Sequence, residues 1–391
     1  MNVKKIIFFA INCVVLLLCA LATLEFLLRI IFPRDMYYAY PPNTKIVKIL
    51  KDETLPYLDR KIVFTTNSLG LRGQEPPLWR SEKDYVLLFV GGSTTKCALL
   101  NDGKSWPELV AQNLNVPTRK HRVLSLNSGQ ALHTTRNHIF LLRHLLPRVR
   151  PNCVIVLCGG NEPLLFFGKD YVSDYDKHPD VLEEIRTQTF WGLGRDSHQQ
   201  LPFYQKLMVW KLMQKIKFFR KITVSFQHRG DILMIMKEKR KQATRIDDAL
   251  SDPALAQGLS LNLMEYKQNI LKIKELCRQH GTRLIFLTQP TLHRKDLPEK
   301  FKKLLYIDFS VRYSEDEKKL TYLSGETMAD IFDRYNNILK EVCIENDIEY
   351  IDLASVINND MENFYDDGHF NNKGAQAVGS AVADYLDKTI P

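Results

Sequence analysis

A three-layer α/β/α sandwich around a mainly parallel sheet of about five strands is the fold class the sequence predicts. Three observations predict it. Short apolar runs stop at glycine or polar turns, helical periodicity separates one run from the next, and 391 residues with 45% hydrophobic and 25% charged content suffice for one large domain with an insertion.

The first element is an apolar helix. Ile6 to Leu24 carries no charge and only Asn12 and Thr23 as polar residues, which is long enough to span a bilayer. Glu25 to Phe32 extends it as an amphipathic turn or two, and Pro33 stops it. Residues 1–33 are therefore expected to be a membrane anchor. A cleavable signal is the rival, since Ala20-Leu21-Ala22 offers a cleavage site, but apolar residues continue past it. Lys4 and Lys5 are outnumbered by Arg29, Arg34, Lys45, Lys48 and Lys51, so the positive-inside count does not favour export of the chain that follows.

Residues 34–60 are expected to form a polar, proline-containing linker, and 61–391 the main domain. Its strands are expected at Tyr85–Val90, Arg122–Leu126, Cys153–Leu157, Arg283–Leu287 and Glu349–Leu353. Helices are expected at Trp106–Leu114, His138–Leu146, Leu263–His280, Met328–Glu345 and Asn372–Leu386. Strands that alternate with helices give a parallel sheet covered on both faces.

Between about 163 and 262 the pattern changes to aromatic and basic residues, expected as a mainly helical insertion. Lys206 to Arg245 holds about a dozen Lys and Arg against two acids, Asp231 and Glu238. That composition fits a solvated helix face, a surface resting on anionic headgroups, or a roof over whatever site lies beyond Asn161.

The chemistry is concentrated in the turns at the strand ends. Ser93 follows the apolar run Tyr85–Val90 through Gly91-Gly92, a tight mount for a nucleophilic hydroxyl or an ordinary helix cap. Tyr365 to His369 reads Tyr-Asp-Asp-Gly-His, which sets Asp366 three residues before an imidazole. A neutral hydroxyl attacks carbonyls poorly unless a base takes its proton and a carboxylate fixes the base's tautomer, and Ser93, His369 and Asp366 supply those three parts. Asp367 competes with Asp366 for the ring, and spacing favours Asp366. Two further strands end at Gly129 and at Gly159-Gly160-Asn161. The N–H groups of Ser93 and Gly129 and the amide of Asn161 are candidate donors to an oxyanion.

The ordered set Gly91-Gly92-Ser93, Gly129, Gly159-Gly160-Asn161 and Asp366-x-x-His369 resembles the four blocks of the SGNH/GDSL hydrolase superfamily. The likeness runs from about Val63 to Asn161 and again from about Thr282 to Leu386. It includes Asn67 to Gly73, which is similar to a loop of membrane-anchored members. Gly92 stands where that motif often has Asp, and Glu162 follows Asn161 where Asp is common. The resemblance implies a flavodoxin-like sandwich, Ser93 as nucleophile, His369 as base, Asp366 as orienting acid, and Ser93, Gly129 and Asn161 as the oxyanion hole. It also implies an outward-facing catalytic domain on the periplasmic or extracellular side.

The expected function is a membrane-anchored serine esterase that removes acyl groups, acetyl foremost, from an envelope carbohydrate or lipid through an acyl-Ser93 intermediate. An O-acyltransferase of an envelope polysaccharide would use the same triad. A catalytically silent binding or scaffold protein on the same fold is the alternative from another class. The net charge of +9 comes with no nucleic-acid motif, so the expected partners are the acylated substrate and the membrane, through residues 6–32 and the basic insertion. No metal or other cofactor is implied. The seven cysteines hold no Cys-x-x-Cys, and the five outside the anchor are expected to be mostly buried free thiols.

Overall fold

The computed structural model describes residues 3–31, 37–50, 57–77, 81–167, 171–190, 244–246, 249–302, 305, 311–314 and 319–390. The chain opens with helix α1 (Val3–Ile31), whose segment Ile11–Leu28 has a mean hydropathy of 2.4 and is almost wholly exposed; by length and composition it is able to cross a membrane.

Strands β1 (Lys45–Ile49) and β2 (Lys61–Thr65) then pair antiparallel, with Val47 opposite Val63. The 34–60 stretch is thus not a linker throughout. Its Lys-Ile-Val-Lys-Ile run alternates exposed and half-buried residues, as one face of a hairpin should, and Tyr38, Ala39 and Tyr40 are buried. Next come β3 (Arg72–Gly73), β4 (Asp84–Gly91), α2 (Ser93–Lys96), α3 (Trp106–Leu114), β5 (Arg122–Asn127), α4 (Thr135–Val149) and β6 (Cys153–Leu157). After α5 (Pro163–Phe167), α6 (Pro179–Thr189) and β7 (Thr244–Ile246) the chain continues with α7 (Pro253–Gln279), β8 (Arg283–Leu287), α8 (Glu299–Lys302), β9 (Val311–Ser314) and β10 (Lys319–Leu323). It ends with α9 (Gly325–Glu345), β11 (Glu349–Ile351), α10 (Leu353–Val356) and α11 (Asn372–Asp387).

The main sheet has six strands in the order β11-β8-β6-β4-β5-β3. All five expected strands are present and pair in parallel, but the sheet is mixed: the sixth strand, the two-residue β3, runs antiparallel along β5 at the edge. Two residues carry too little pattern to be seen in a sequence. Separate small sheets join β1 to β2 and β7 to β10 and β9.

Side chains alternate across the pleat, so each strand feeds two cores. Val86, Leu88 and Val90 of β4 join Val154, Val156 and Phe286 beneath α4, α7 and α9. Tyr85, Leu87 and Phe89 join Ile155, Ile285 and Leu287 beneath α3 and α11. Burial on both faces is why the strands read as continuous apolar runs.

Helix starts are set by caps. Thr134 and Asn137 form a capping box that opens α4 three residues before the expected His138. Asp252 caps α7 through the Ala254 N–H, with Pro253 in the first position, so the insertion boundary placed near 262 falls inside a helix. Among the described residues of the insertion, Phe166 and Phe190 pack into the core with Leu259. The basic stretch 206–243 lies outside the described residues. Cys97, Cys153, Cys158, Cys277 and Cys343 are buried free thiols.

A buried ion pair ties α4 to α7. Both carboxylate oxygens of Glu265 accept from Arg136, at 2.6 and 2.5 Å, and the guanidinium lies 4.6 Å from the centre of the Tyr175 ring. Removing one partner strands a buried charge, so Arg136→Ala should lower unfolding free energy by about 3–5 kcal/mol, read by denaturant titration.

Candidate active site

Because β4, β5, β6 and β8 are parallel, their C-terminal ends share one edge of the sheet, and the turns leaving them hold the candidate residues. β4 ends at Gly91. Gly92 is the N-cap of α2, and Ser93 takes the first helical position, where a backbone N–H has no acceptor within the helix. The short helix stops at Cys97, whose φ is 51°.

Buried side chains brace this turn from below. Arg72, 1% exposed, donates to the carbonyls of Lys96 (3.1 Å), Cys97 (2.7 Å) and Leu100 (2.9 Å). The Trp106 indole N–H donates to the Thr94 carbonyl at 3.1 Å. The carbonyls of a helix too short to pair them all are thereby satisfied, and Ser93 is held on a rigid mount.

Gly129 leaves the end of β5 directly under α2. A Cβ there would lie 2.6 Å from the Lys96 nitrogen and 2.8 Å from Thr95, so only glycine lets the two backbones approach this closely. Its N–H, expected as an oxyanion donor, is directed at Asn127 Oδ1 (2.9 Å), and the other end of that side chain donates to the Thr95 carbonyl at 2.7 Å. The Gly129 carbonyl accepts from the Tyr40 hydroxyl.

Asn161 follows β6, and its amide nitrogen lies 2.5 Å from where a Cβ on Gly92 would sit. One amide hydrogen goes to the His133 carbonyl at 2.9 Å, and the amide carries a second. Glu162 fixes the turn. Its buried carboxylate accepts from the N–H groups of Thr135 (2.7 Å) and Gly159 (3.0 Å), while burial pushes its pKa up against those bonds. His133 and His138 behind the turn are buried, which pushes their imidazoles down to about 3 and about 4 and keeps both neutral near pH 7.

Asp366 and His369 lie in a loop closed by the Phe364–Phe370 bridge and by the Tyr365 N–H on the His369 carbonyl. Asp366, 1% exposed, accepts from the N–H groups of Gly368 (3.0 Å) and His369 (2.7 Å). Its two oxygens also stand 3.0 and 2.9 Å from His369 Nδ1. A carboxylate at Nδ1 calls for the proton there, which makes Nε2 the basic nitrogen. The Tyr365 ring stacks on the imidazole with centroids 5.5 Å apart and planes 6° apart. Asp367 turns elsewhere, to His293, with Oδ2 3.6 Å from Nε2.

The loop after β8 joins these parts. Gln289 Oε1 accepts from the Thr94 hydroxyl at 3.4 Å and lies 2.9 Å from where a Cβ on Gly160 would sit. Three residues on, the Leu292 N–H donates to the Asp367 carbonyl at 2.9 Å. Tyr365 also packs with Leu99, just beyond α2, and Ile62. Ser93, Gly129 and Asn161 thus sit in directly touching turns, and the Asp366–His369 loop is tied to them through Gln289, Leu292 and Leu99. Arg72, Gln289 and Tyr40 were not legible as site residues. Arg72 had one signal, its place in the Asn67–Gly73 loop. Among the described residues no group of three or more His, Cys, Asp or Glu could hold a metal ion.

No protein-family model matches the chain, and no curated protein does. Similar solved structures include a putative lipolytic protein of the G-D-S-L family from Desulfitobacterium hafniense, at 11% identity over 76% of this chain and 98% of that one, with a TM-score of 0.37. An acetylxylan esterase from Geobacillus stearothermophilus is 13% identical over 77% and 94%, with a TM-score of 0.40. A lipase/acylhydrolase from Enterococcus faecalis is 11% identical over 78% and 96%, with a TM-score of 0.39. Likenesses this distant add nothing to what the residues themselves place.

Proposed function

We propose that the chain is a serine esterase that removes acyl groups from an envelope carbohydrate or lipid, anchored in a membrane by α1 with its catalytic domain on the periplasmic or extracellular side. The observation that carries the reading is the Asp366 carboxylate on His369 Nδ1, in a loop tied to the turn that mounts Ser93. A surface histidine needs no buried carboxylate at Nδ1, whereas a general base does.

In this reading Ser93 Oγ attacks the acyl carbonyl while His369 Nε2 takes its proton. Asp366 steadies the imidazolium, and the Ser93 N–H and Asn161 amide donate to the oxyanion. Gly129 supports the hole through its close packing, and would add its own N–H only by giving up Asn127. Collapse of the tetrahedral intermediate expels the alcohol, which takes the proton from Nε2. Water then repeats the sequence on acyl-Ser93, releasing the acid and restoring the hydroxyl.

Losing one oxyanion donor costs about 10²- to 10³-fold in kcat, so Asn161→Ala should lower kcat by that factor and leave KM nearly unchanged. Steady-state kinetics on p-nitrophenyl esters reads this split. The reading as a whole is tested by treating the full chain with a fluorophosphonate probe. Labelling of wild type at Ser93, located by mass spectrometry and absent in Ser93→Ala, is the expected result. A folded protein that takes no label, or takes it elsewhere, would sink the proposal.

A further inference from the structure

The turn between the two expected oxyanion residues contains an anomaly. Gln130 to His133 is a β-turn closed by the His133 N–H on the Gln130 carbonyl, and its third residue, Leu132, has a φ of 65°. That position suits glycine or asparagine, and a leucine there costs backbone free energy that either would avoid. The side chain gains no core packing in return, being 60% exposed.

The turn is pinned to the site on every side. The Gln130 N–H donates to the Gly91 carbonyl at 3.1 Å, and the Gln130 amide donates to the Ala39 carbonyl. The His133 carbonyl accepts from Asn161 and lies 3.6 Å from where a Cβ on Gly92 would sit. An exposed apolar side chain is therefore held in a disfavoured conformation one residue from an atom that touches both Asn161 and the residue before Ser93. Backbone strain of this kind clusters at active sites and ligand clamps.

We infer that Leu132 is a specificity residue that contacts the acyl group of the substrate and selects chains longer than acetyl. The inference rests on the esterase reading of Ser93. It follows from the two directions the mechanism imposes. The alcohol must leave toward His369, because it takes its proton from that ring. The oxyanion faces the Ser93 N–H and Asn161, so the acyl group takes the remaining side, away from that ring, and Leu132 is the exposed apolar residue of the turn between β5 and α4 whose His133 carbonyl holds Asn161. An acetyl group has too little apolar surface to reward such a contact; a longer chain gains by desolvating against it.

The test is an ester series of p-nitrophenyl acetate, butyrate and octanoate on the full chain, comparing wild type with Leu132→Gly and Leu132→Asn. Both substitutions accept positive φ, so both should fold with Tm equal to or above wild type. The octanoate-to-acetate ratio of kcat/KM should fall about tenfold in each, through a higher KM for octanoate, with acetate turnover within twofold of wild type. An unchanged or raised ratio, in an enzyme whose wild-type turnover is lost in Ser93→Ala, overturns the role of Leu132 alone. Absence of any Ser93-dependent hydrolysis in wild type overturns the esterase reading and this inference with it.

Discussion

Ser93→Ala is expected to lower kcat on a p-nitrophenyl ester by on the order of 10⁶-fold while leaving the unfolding transition where it is. The fold does not need the hydroxyl. Gly92, not Ser93, is the N-cap of α2, so no capping bond is lost, and the turn is held from beneath by Arg72 and Trp106 rather than by the serine. A Ser→Ala change at this half-buried position should move stability by less than about 0.5 kcal/mol. The chemistry, by contrast, has nothing to replace Oγ. Because nucleophile and base act as one unit, His369→Ala should cost nearly as much and the double variant little more than either alone. Residual turnover within tenfold of wild type in Ser93→Ala, at an unchanged Tm, would remove Ser93 from the mechanism.

The contrast between that legible serine and its illegible supports has a physical origin. Five strands could be read because a parallel strand buried on both faces is a continuous apolar run, as in Tyr85–Val90 and Cys153–Leu157. Asp366 and His369 could be paired because the contact between them is local, three residues apart. Arg72 could not be placed, since its three acceptors lie 24 to 28 residues away and only the closed fold brings them together. Tyr40 is 89 residues from Gly129, and Gln289 is 195 from Thr94. β3 is two residues long and set by its neighbour β5. The β1 strand could not be read because Lys-Ile-Val-Lys-Ile does not alternate polar with apolar residues, and Val47 and Ile49 face outward while Lys48 is half-buried. Helix starts at Thr135 and Pro253 were signalled by Thr134 with Asn137 and by Asp252-Pro253, cap patterns that outrank apolar periodicity in fixing a first turn.

Asp366→Asn should lower kcat about 10⁴-fold, whereas Asp367→Asn should change it less than tenfold. The two neighbours differ in what they face, not in how deeply they lie: they are 1% and 0% exposed. An asparagine at 366 can still accept the Gly368 and His369 N–H bonds through its carbonyl oxygen, so the loop should keep its shape. Its amide N–H₂ would then compete for the place of the second oxygen at His369 Nδ1. That favours the tautomer with the proton on Nε2, which has no lone pair to take the proton from Ser93, and it leaves an imidazolium without its counter-charge. Asp367 meets His293 instead, across 3.6 Å, and its backbone carbonyl accepts from the Leu292 N–H, a bond that substitution of the side chain leaves in place. Single-turnover acylation by a p-nitrophenyl ester separates the cases, because a tautomer defect slows acyl-Ser93 formation itself and a loosened loop raises KM. A larger acylation defect in Asp367→Asn than in Asp366→Asn would transfer the orienting role to Asp367 and make His293 part of the relay that holds the base.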